Sequence, residues 1–357
     1  MTKTSRNIFC DLHHGDLYFS LHLLFEDRLK MSLFRPIGLE WFQKGFWKIA
    51  EPYHNAPDTI DQFLGIPRET WDANKEPTQR YGQAQLIDGV YHIPVKVGSG
   101  EYIQKAITFD KFLEMDFDFI VASYGGHESA YGELVRQHKP NAIYIRQIGN
   151  AFEYPHSTKN ALVAGYWPMP FGVNYITYHP EHHRDYCYAP PTNHNTIKSF
   201  IAAPLAEPDL PLFYEYERIL HDYTFKMHGI LGRDGVISGD LMPQTIKDSA
   251  FVWHVKRWGC CGFVSRQALA CGRPCIIKKS YCAEFHALAR DLYEDSVNCI
   301  DLDAGSLREN IEKIRYFSQP ERHIEMCRAT ADKFKKDVNF EGEAKDIGQF
   351  LDSLKRD

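Results

Sequence analysis

The chain has no apolar run approaching the roughly 18 residues of a membrane span, so no transmembrane helix is expected. Its opening, MTKTSRNIFCDLHH, lacks the apolar centre of a secretory signal. No GxGxxG follows the first apolar stretch, which argues against an NAD-dependent dehydrogenase. Neither CxxC nor HExxH occurs, so His179, His182, His183 and Cys187 lack the spacing of a zinc site. The histidines read instead as surface groups beside an interdomain cleft. There is no Asn-x-Ser/Thr sequon. The nine cysteines are an odd number, and the adjacent Cys260-Cys261 reads as a pair of small buried fillers. A reduced, cytoplasmic protein is the simplest reading. Neither charge sign dominates: 41 Lys and Arg stand against 47 Asp and Glu, for a net charge of −6. That argues against a nucleic-acid coat protein while leaving room for a local basic groove.

What is present is an ordinary globular composition, 44% hydrophobic and 25% charged, in 357 residues. A chain of this length is expected to form two domains of about 170–190 residues each. Aromatics reach 14%, a content that lines clefts as well as cores. Residues 7–11 read as a strand, followed by the polar loop His13-His14-Gly15-Asp16. A helix is expected over 17–30, from Leu17, Leu21, Leu24, Phe25 and Leu29, and a strand from 32–34. Further on, 117–123 is a strand, Gly125-Gly126-His127-Glu128 its loop, 129–138 a helix, and 142–146 and 175–178 strands. Residues 35–104 read as an irregular insertion with a hairpin over 84–97, and 184–196 as a linker rich in Pro and Asn. Beyond it come a strand at 197–202, a helix at 212–223 and a strand at 224–229. Helices at 307–317, 321–336 and 343–354 close the chain. The pattern is α/β, with two Rossmann-like domains.

The most informative stretch is SAFVWHVKRWGCCGFVSRQALACGRPCIIK, residues 249–278. It reads as a strand (250–255), a glycine-rich turn (256–262), a helix (263–271), a tight Gly272-Arg273-Pro274 turn and a second strand (275–278). Orphan N–H groups and the positive end of the dipole gather where that helix begins, which suits a phosphate. Gly262, Ser265 and Arg266 form that start, and His254, Lys256 and Arg257 add candidate cationic donors.

The run GFVSRQALACGRPCII resembles the donor-binding segment of GT-B glycosyltransferases, whose retaining members carry a pattern like EGFGLPVLEAMACGxPVV. That family's two glutamates fall here at Gly259 and Gln267, so a Glu-x7-Glu mechanism does not carry over. Gln267 remains able to hydrogen-bond a ribose or sugar hydroxyl. The resemblance implies two Rossmann-like domains facing across a cleft. Residues 1–188 would hold the acceptor and 189–340 the nucleotide-sugar, with 341–357 a helix returning to the first domain. It also implies that Gly229 and Arg233 help hold the nucleotide base, and that His127 faces the donor sugar.

In the first domain, Asp16 or His13 at the end of the first strand is placed to deprotonate an acceptor hydroxyl, and Glu128 to orient His127 or act as base. His14, Arg35 and Trp41 are candidate acceptor contacts. Arg28, Lys30, Arg35, Lys44 and Lys48, interleaved with aromatics, keep a nucleic-acid acceptor in play. The Asp116-Phe117-Asp118 motif precedes a strand and reads as solvated punctuation, so no metal is expected. The expectation is a metal-independent glycosyltransferase using a UDP-sugar. Its acceptor is a glycan, a small molecule, or hydroxymethylated DNA as in phage β-glucosyltransferases. A nucleotide-sugar epimerase and a non-catalytic nucleotide- or sugar-binding protein are the alternatives.

Overall fold

The computed structural model describes residues 6–11, 15–37, 83–123, 125–149, 153–165, 169–257, 262–284 and 288–355. Two open α/β sheets organise them. The first contains β1 (Asn7–Cys10), β2 (Ser32–Pro36), β3 (Gln85–Ile87), β4 (Val90–Val97), β5 (Gly100–Ile107), β6 (Phe119–Ala122), β7 (Ile143–Ile148), β8 (Asn160–Val163) and β9 (Asn174–Thr177). Their order is β3-β4-β5-β2-β1-β6-β7-β8-β9, and only the β3–β4 and β4–β5 pairs are antiparallel. The second sheet, β11-β10-β12-β13-β14, is parallel throughout. Its strands are β10 (Thr196–Ser199), β11 (Thr224–Met227), β12 (Phe251–Trp253), β13 (Cys275–Ile277) and β14 (Cys299–Asp301).

Strand periodicity sorts the first sheet's side chains onto two covered faces. Ile8, Cys10 and Val121 point to the face covered by α1 (Gly15–His22), through Leu17, Tyr18 and Leu21. Phe9, Ile120 and Ala122 point to the face covered by α2 (Phe109–Glu114) and α3 (Gly125–His138). The second sheet is covered likewise. On one side lie α4 (Leu210–Ile219) and α8 (Leu307–Phe317). On the other lie α6 (Phe263–Ala270) and the later part of α9 (Pro320–Asp337). Short helices α5 (Met242–Lys247) and α7 (Lys279–Glu284) precede β12 and follow β13.

The last helix, α10 (Phe340–Ser353), crosses back to the first sheet and buries Ala344, Ile347 and Leu351 among Leu17, Leu21 and Phe25. Its Glu343 fixes the chain between the sheets by accepting from both the backbone N–H and Nδ1 of His179, each at 2.7 Å. The helix expected over 17–30 is α1 only as far as His22. Leu23–Arg28 then continues as a π-helix, which brings Leu23, Leu24 and Phe25 to the core. The sequence pattern does not announce strands β5, β8 and β14 or helices α2, α5 and α7. β8 is four consecutive buried residues, too short a run for periodicity to separate strand from helix.

Candidate active site

In open parallel sheets ligands bind beyond the carboxyl ends of the strands. At that edge of the second sheet, β12 runs into the loop before α6. Gly262, at φ +69°, caps α6, a left-handed conformation that favours glycine. The Ser265 hydroxyl donates to Gly262 O at 2.8 Å, and Arg266 N donates to the same oxygen at 3.1 Å. The serine thus closes the first turn of its own helix. Arg266, only 2% exposed, stacks over the Phe263 ring at 5.0 Å and donates to Pro180 O at 2.8 Å. Phe263 itself packs against the first sheet's core. The start of α6 is therefore seated at the junction of the two halves, with Gln267 buried behind it.

The sequence offers His254 as a cationic donor, and its surroundings overturn that. Burial, with Lys256 beside it, pushes the imidazole down to about 3. It is therefore neutral at physiological pH and acts as a hydrogen-bonding group, leaving the positive charge to Lys256 and Arg257. Arg257 N donates to Glu207 at 2.8 Å, and its guanidinium lies 3.6 Å from Glu284. Lys278, one residue past β13, donates to Asp209 at 2.8 Å, and the Tyr281 hydroxyl donates to the same carboxylate oxygen. Glu207 and Asp209 line a narrow crevice at the strand ends together with Ser199, Met227 and Trp253. Sequence reasoning missed Glu207, Asp209, Lys278 and Tyr281; the one local signal was a lysine standing directly past an apolar strand.

The loop after β11 holds Gly229 and Arg233. Gly229 sits at φ +143°, where a Cβ would lie 2.2 Å from Ile201 O. Gly229→Ala is expected to cost about 2–4 kcal/mol through backbone strain and displacement of the β10 end, read as a lower urea midpoint. Arg233 clamps Glu217 with two bonds of 2.8 and 2.6 Å and donates to Phe225 O at 2.7 Å. It ties α4 to β11, alongside the crevice rather than within its lining.

At the carboxyl edge of the first sheet, buried Asp11 accepts from Ser123 N at 2.7 Å and so joins the ends of β1 and β6. His13, His14 and Trp41 lie outside the described residues, as do Lys44, Lys48, Gly259 and Cys260-Cys261. Asp16 is in α1 and His127 in the first turn of α3; their side chains are likewise outside the description. Glu128 is fully buried. One carboxylate oxygen accepts from the backbone N–H groups of His156 and Ser157, the latter at 2.6 Å; the other lies 3.5 Å from Arg146 Nε. Arg146, equally buried, also holds Glu153 at 2.8 Å. Glu128 is thus engaged within the protein. Arg35, 2% exposed, donates to Gln104 at 2.8 Å, and Arg28 grips Glu181 with bonds of 3.1 and 2.7 Å. Both arginines are committed internally.

The Asp-x-Asp motif lies at the opposite, amino-terminal edge of the first sheet, where Asp118 accepts from Asn7 N at 2.9 Å. A cavity of about 360 Å³ lies there, lined by Arg6, Asp116, Asp118 and Asp352, away from the strand ends that bind ligands in such sheets. The supposed surface histidines prove otherwise. His183 is 3% exposed, and burial pushes His182, packed against Tyr186 and Phe334, down to about 3. Among the described residues no three His, Cys, Asp or Glu side chains are grouped to hold a metal ion. No described helix is long and apolar enough to cross a membrane.

No family model matches the sequence, and no curated protein does. Solved structures match in fold. An α-glucosyltransferase in complex with UDP-glucose and DNA containing an abasic site superposes with a TM-score of 0.60 at 10% identity, over 98% of this chain and 99% of that one. TarM matches at 0.59 and 10% identity over 99% of both chains. The pneumococcal O-GlcNAc transferase GtfA, in complex with UDP and GlcNAc, matches at 0.56 and 9% identity over 98% and 99%. A point mutant of S. aureus TarM, at 0.50 and 11% identity, is spanned over 55% of its length by 66% of this chain. The two open sheets joined by a returning C-terminal helix are the GT-B fold.

Proposed function

We propose that the protein is a glycosyltransferase that moves a sugar from a UDP-sugar to an acceptor hydroxyl without a metal. The observation that carries this is the start of α6: Gly262 opens the helix beyond the end of β12, with Lys256 and Arg257 before it and the first sheet's core against Phe263. UDP in the α-glucosyltransferase and GtfA complexes supports the choice of nucleotide. In this reading residues 1–188 present the acceptor, 189–340 hold the donor, and 341–357 return to the first domain. The protein works in the cytoplasm.

The bond from the anomeric carbon to the diphosphate oxygen breaks, and its electron pair leaves on the phosphate. A new bond forms to the acceptor oxygen, which loses its proton. Negative charge grows on the diphosphate, where Lys256, Arg257 and the N–H groups opening α6 offset it. If the sugar inverts, Asp16 or His13 takes the proton; Glu128, enclosed with Arg146, serves to hold the loop at 156–157. If the configuration is retained, the acceptor proton passes to the departing diphosphate oxygen and His127 contacts the donor. A glycan or small-molecule hydroxyl is the favoured acceptor. A hydroxymethylated base has one supporting observation, the full-length match to an α-glucosyltransferase bound to DNA. Against it, Arg28 and Arg35 are already engaged within the protein.

A thermal-shift screen with UDP, GDP, CMP, ADP and their sugar conjugates tests the reading. UDP at 100 times its dissociation constant should stabilise the protein by about 2.7 kcal/mol, and GDP, CMP and ADP by far less. Incubation with UDP-glucose then separates transfer or slow hydrolysis from an epimerase, which would isomerise the donor with no acceptor present. No shift with any nucleotide, in a folded sample, would overturn the proposal.

A further inference from the structure

We infer that Lys278 is an anion-binding residue of the donor site, held in position by Asp209 and Tyr281, so that it meets the diphosphate of the nucleotide. The inference rests on the donor-site reading above and adds to it a residue that the start of α6 does not supply. Three loops converge at the carboxyl edge of the second sheet. The β10–α4 loop brings Glu207 and Asp209, the β12–α6 loop brings Lys256 and Arg257, and the end of β13 brings Lys278. The last two are fastened side by side, because His254 N donates to Ile276 O at 2.8 Å.

The Lys278 ammonium gives one bond to Asp209 at 2.8 Å, lies 5.1 Å from the centre of the Tyr281 ring, and keeps 23% of its side-chain surface exposed. An ammonium carries three donors, so this arrangement fixes its direction while leaving donor capacity toward solvent. Asp209 lines the crevice and receives the Tyr281 hydroxyl as well, so the carboxylate is the anchor of the set. Burial alone would push the Asp209 carboxyl up, but the bonds from Lys278 and Tyr281 hold it below the usual range. Burial alone would lower Lys278, and the Asp209 contact outweighs it. The pair is charged at neutral pH.

A lysine fixed in this way beyond a parallel strand, next to a second loop carrying Lys256 and Arg257, presents positive charge where a phosphate would arrive. Asp209 touches the lysine rather than the ligand and is a positioning residue. Its companion Glu207 restrains the neighbouring loop in the same manner, through Arg257 N at 2.8 Å.

Calorimetric titration of the full-length protein with UDP, inorganic pyrophosphate and uridine tests the assignment. Lys278→Ala should weaken UDP and pyrophosphate about ten- to a hundred-fold while leaving uridine unchanged. Lys278→Arg should recover most of the loss. Asp209→Asn should give a smaller loss of UDP affinity and none beyond Lys278→Ala in the double variant. If the wild type binds UDP and Lys278→Ala binds it equally well, Lys278 is no ligand, and the donor-site reading survives without it. If the wild type binds none of the three probes, the donor-site reading itself fails and takes the inference with it. Parallel loss of uridine in Lys278→Ala and Lys278→Met, with no recovery in Lys278→Arg, marks a packing role and overturns the assignment. Tighter UDP binding by Asp209→Asn would show the carboxylate competing with the ligand, and overturns the positioning role.

Discussion

Replacing Glu128 with alanine should lower the stability of the first-sheet half by about 3–5 kcal/mol, the cost of stripping one partner from a buried ion pair. Both members are fully buried: Glu128 lies 3.5 Å from Arg146 Nε and accepts from the backbone N–H groups of His156 and Ser157. The truncation leaves two N–H groups without their acceptor and a guanidinium whose remaining ion-pair partner among the described residues is Glu153. Urea unfolding measures the loss as a lower midpoint at unchanged slope. Glu128→Gln keeps an oxygen for the two N–H groups but loses the charge and turns an amide NH2 toward Arg146, so it should fall between wild type and Glu128→Ala. A catalytic base would behave in the opposite way: Glu128→Gln would unfold like the wild type and lose about 10²–10⁴-fold in rate. That outcome would return Glu128 to the acceptor chemistry.

The engagement of Glu128 within the protein has a physical origin that recurs across the molecule. A Gly-Gly-His-Glu loop after an apolar strand is a local pattern, and α3 does begin there. What engages the glutamate is not local: its acceptor bonds come from 28 and 29 residues away and its counter-charge from the middle of β7. The same holds for Arg35, tied to Gln104 across 69 positions, and for Lys278, tied to Asp209 across 69. By contrast, the β12–α6–β13 unit was legible because every signal in it is short-range. These signals are an apolar strand, a left-handed glycine at Gly262, a second at Gly272, and an apolar strand again. The returning helix was legible as well, from its amphipathic spacing and the family resemblance, and it packs where that resemblance placed it. Ionisation state was beyond the sequence, because it follows burial. His254 looked like a cation beside Lys256 and Arg257, and its surroundings make it neutral.

Burial of histidine also sets how the fold should respond to acid. His323, fully buried in α9, is pushed down to about 4 by burial, with His194 and Arg273 adding to the effect. Its Nε2 lies 2.9 Å from Ala250 O, which only accepts, so Nε2 carries the proton. Nδ1 is then the acceptor in the 2.8 Å contact with His194 Nδ1. Protonating His323 would set N–H against N–H. The unfolded chain, whose histidines titrate near about 6.5, binds that proton more readily than the folded one. Stability should therefore be level above about pH 6.5, fall as the pH drops toward 4, and lose roughly 3 kcal/mol through this residue by pH 4. His182 and His254, both pushed down to about 3, act in the same direction. Carboxylates add their own acid dependence, so the decisive measurement is a difference. At pH 7.5, His323→Leu should be less stable than wild type, because Ala250 O and His194 lose their partner. The gap should narrow steadily through pH 6, 5 and 4.5 as the wild type loses the stability that its neutral imidazole supplies. A gap that stays constant across those pH values would mean that His323 takes up its proton equally well folded and unfolded, against the geometry that buries it.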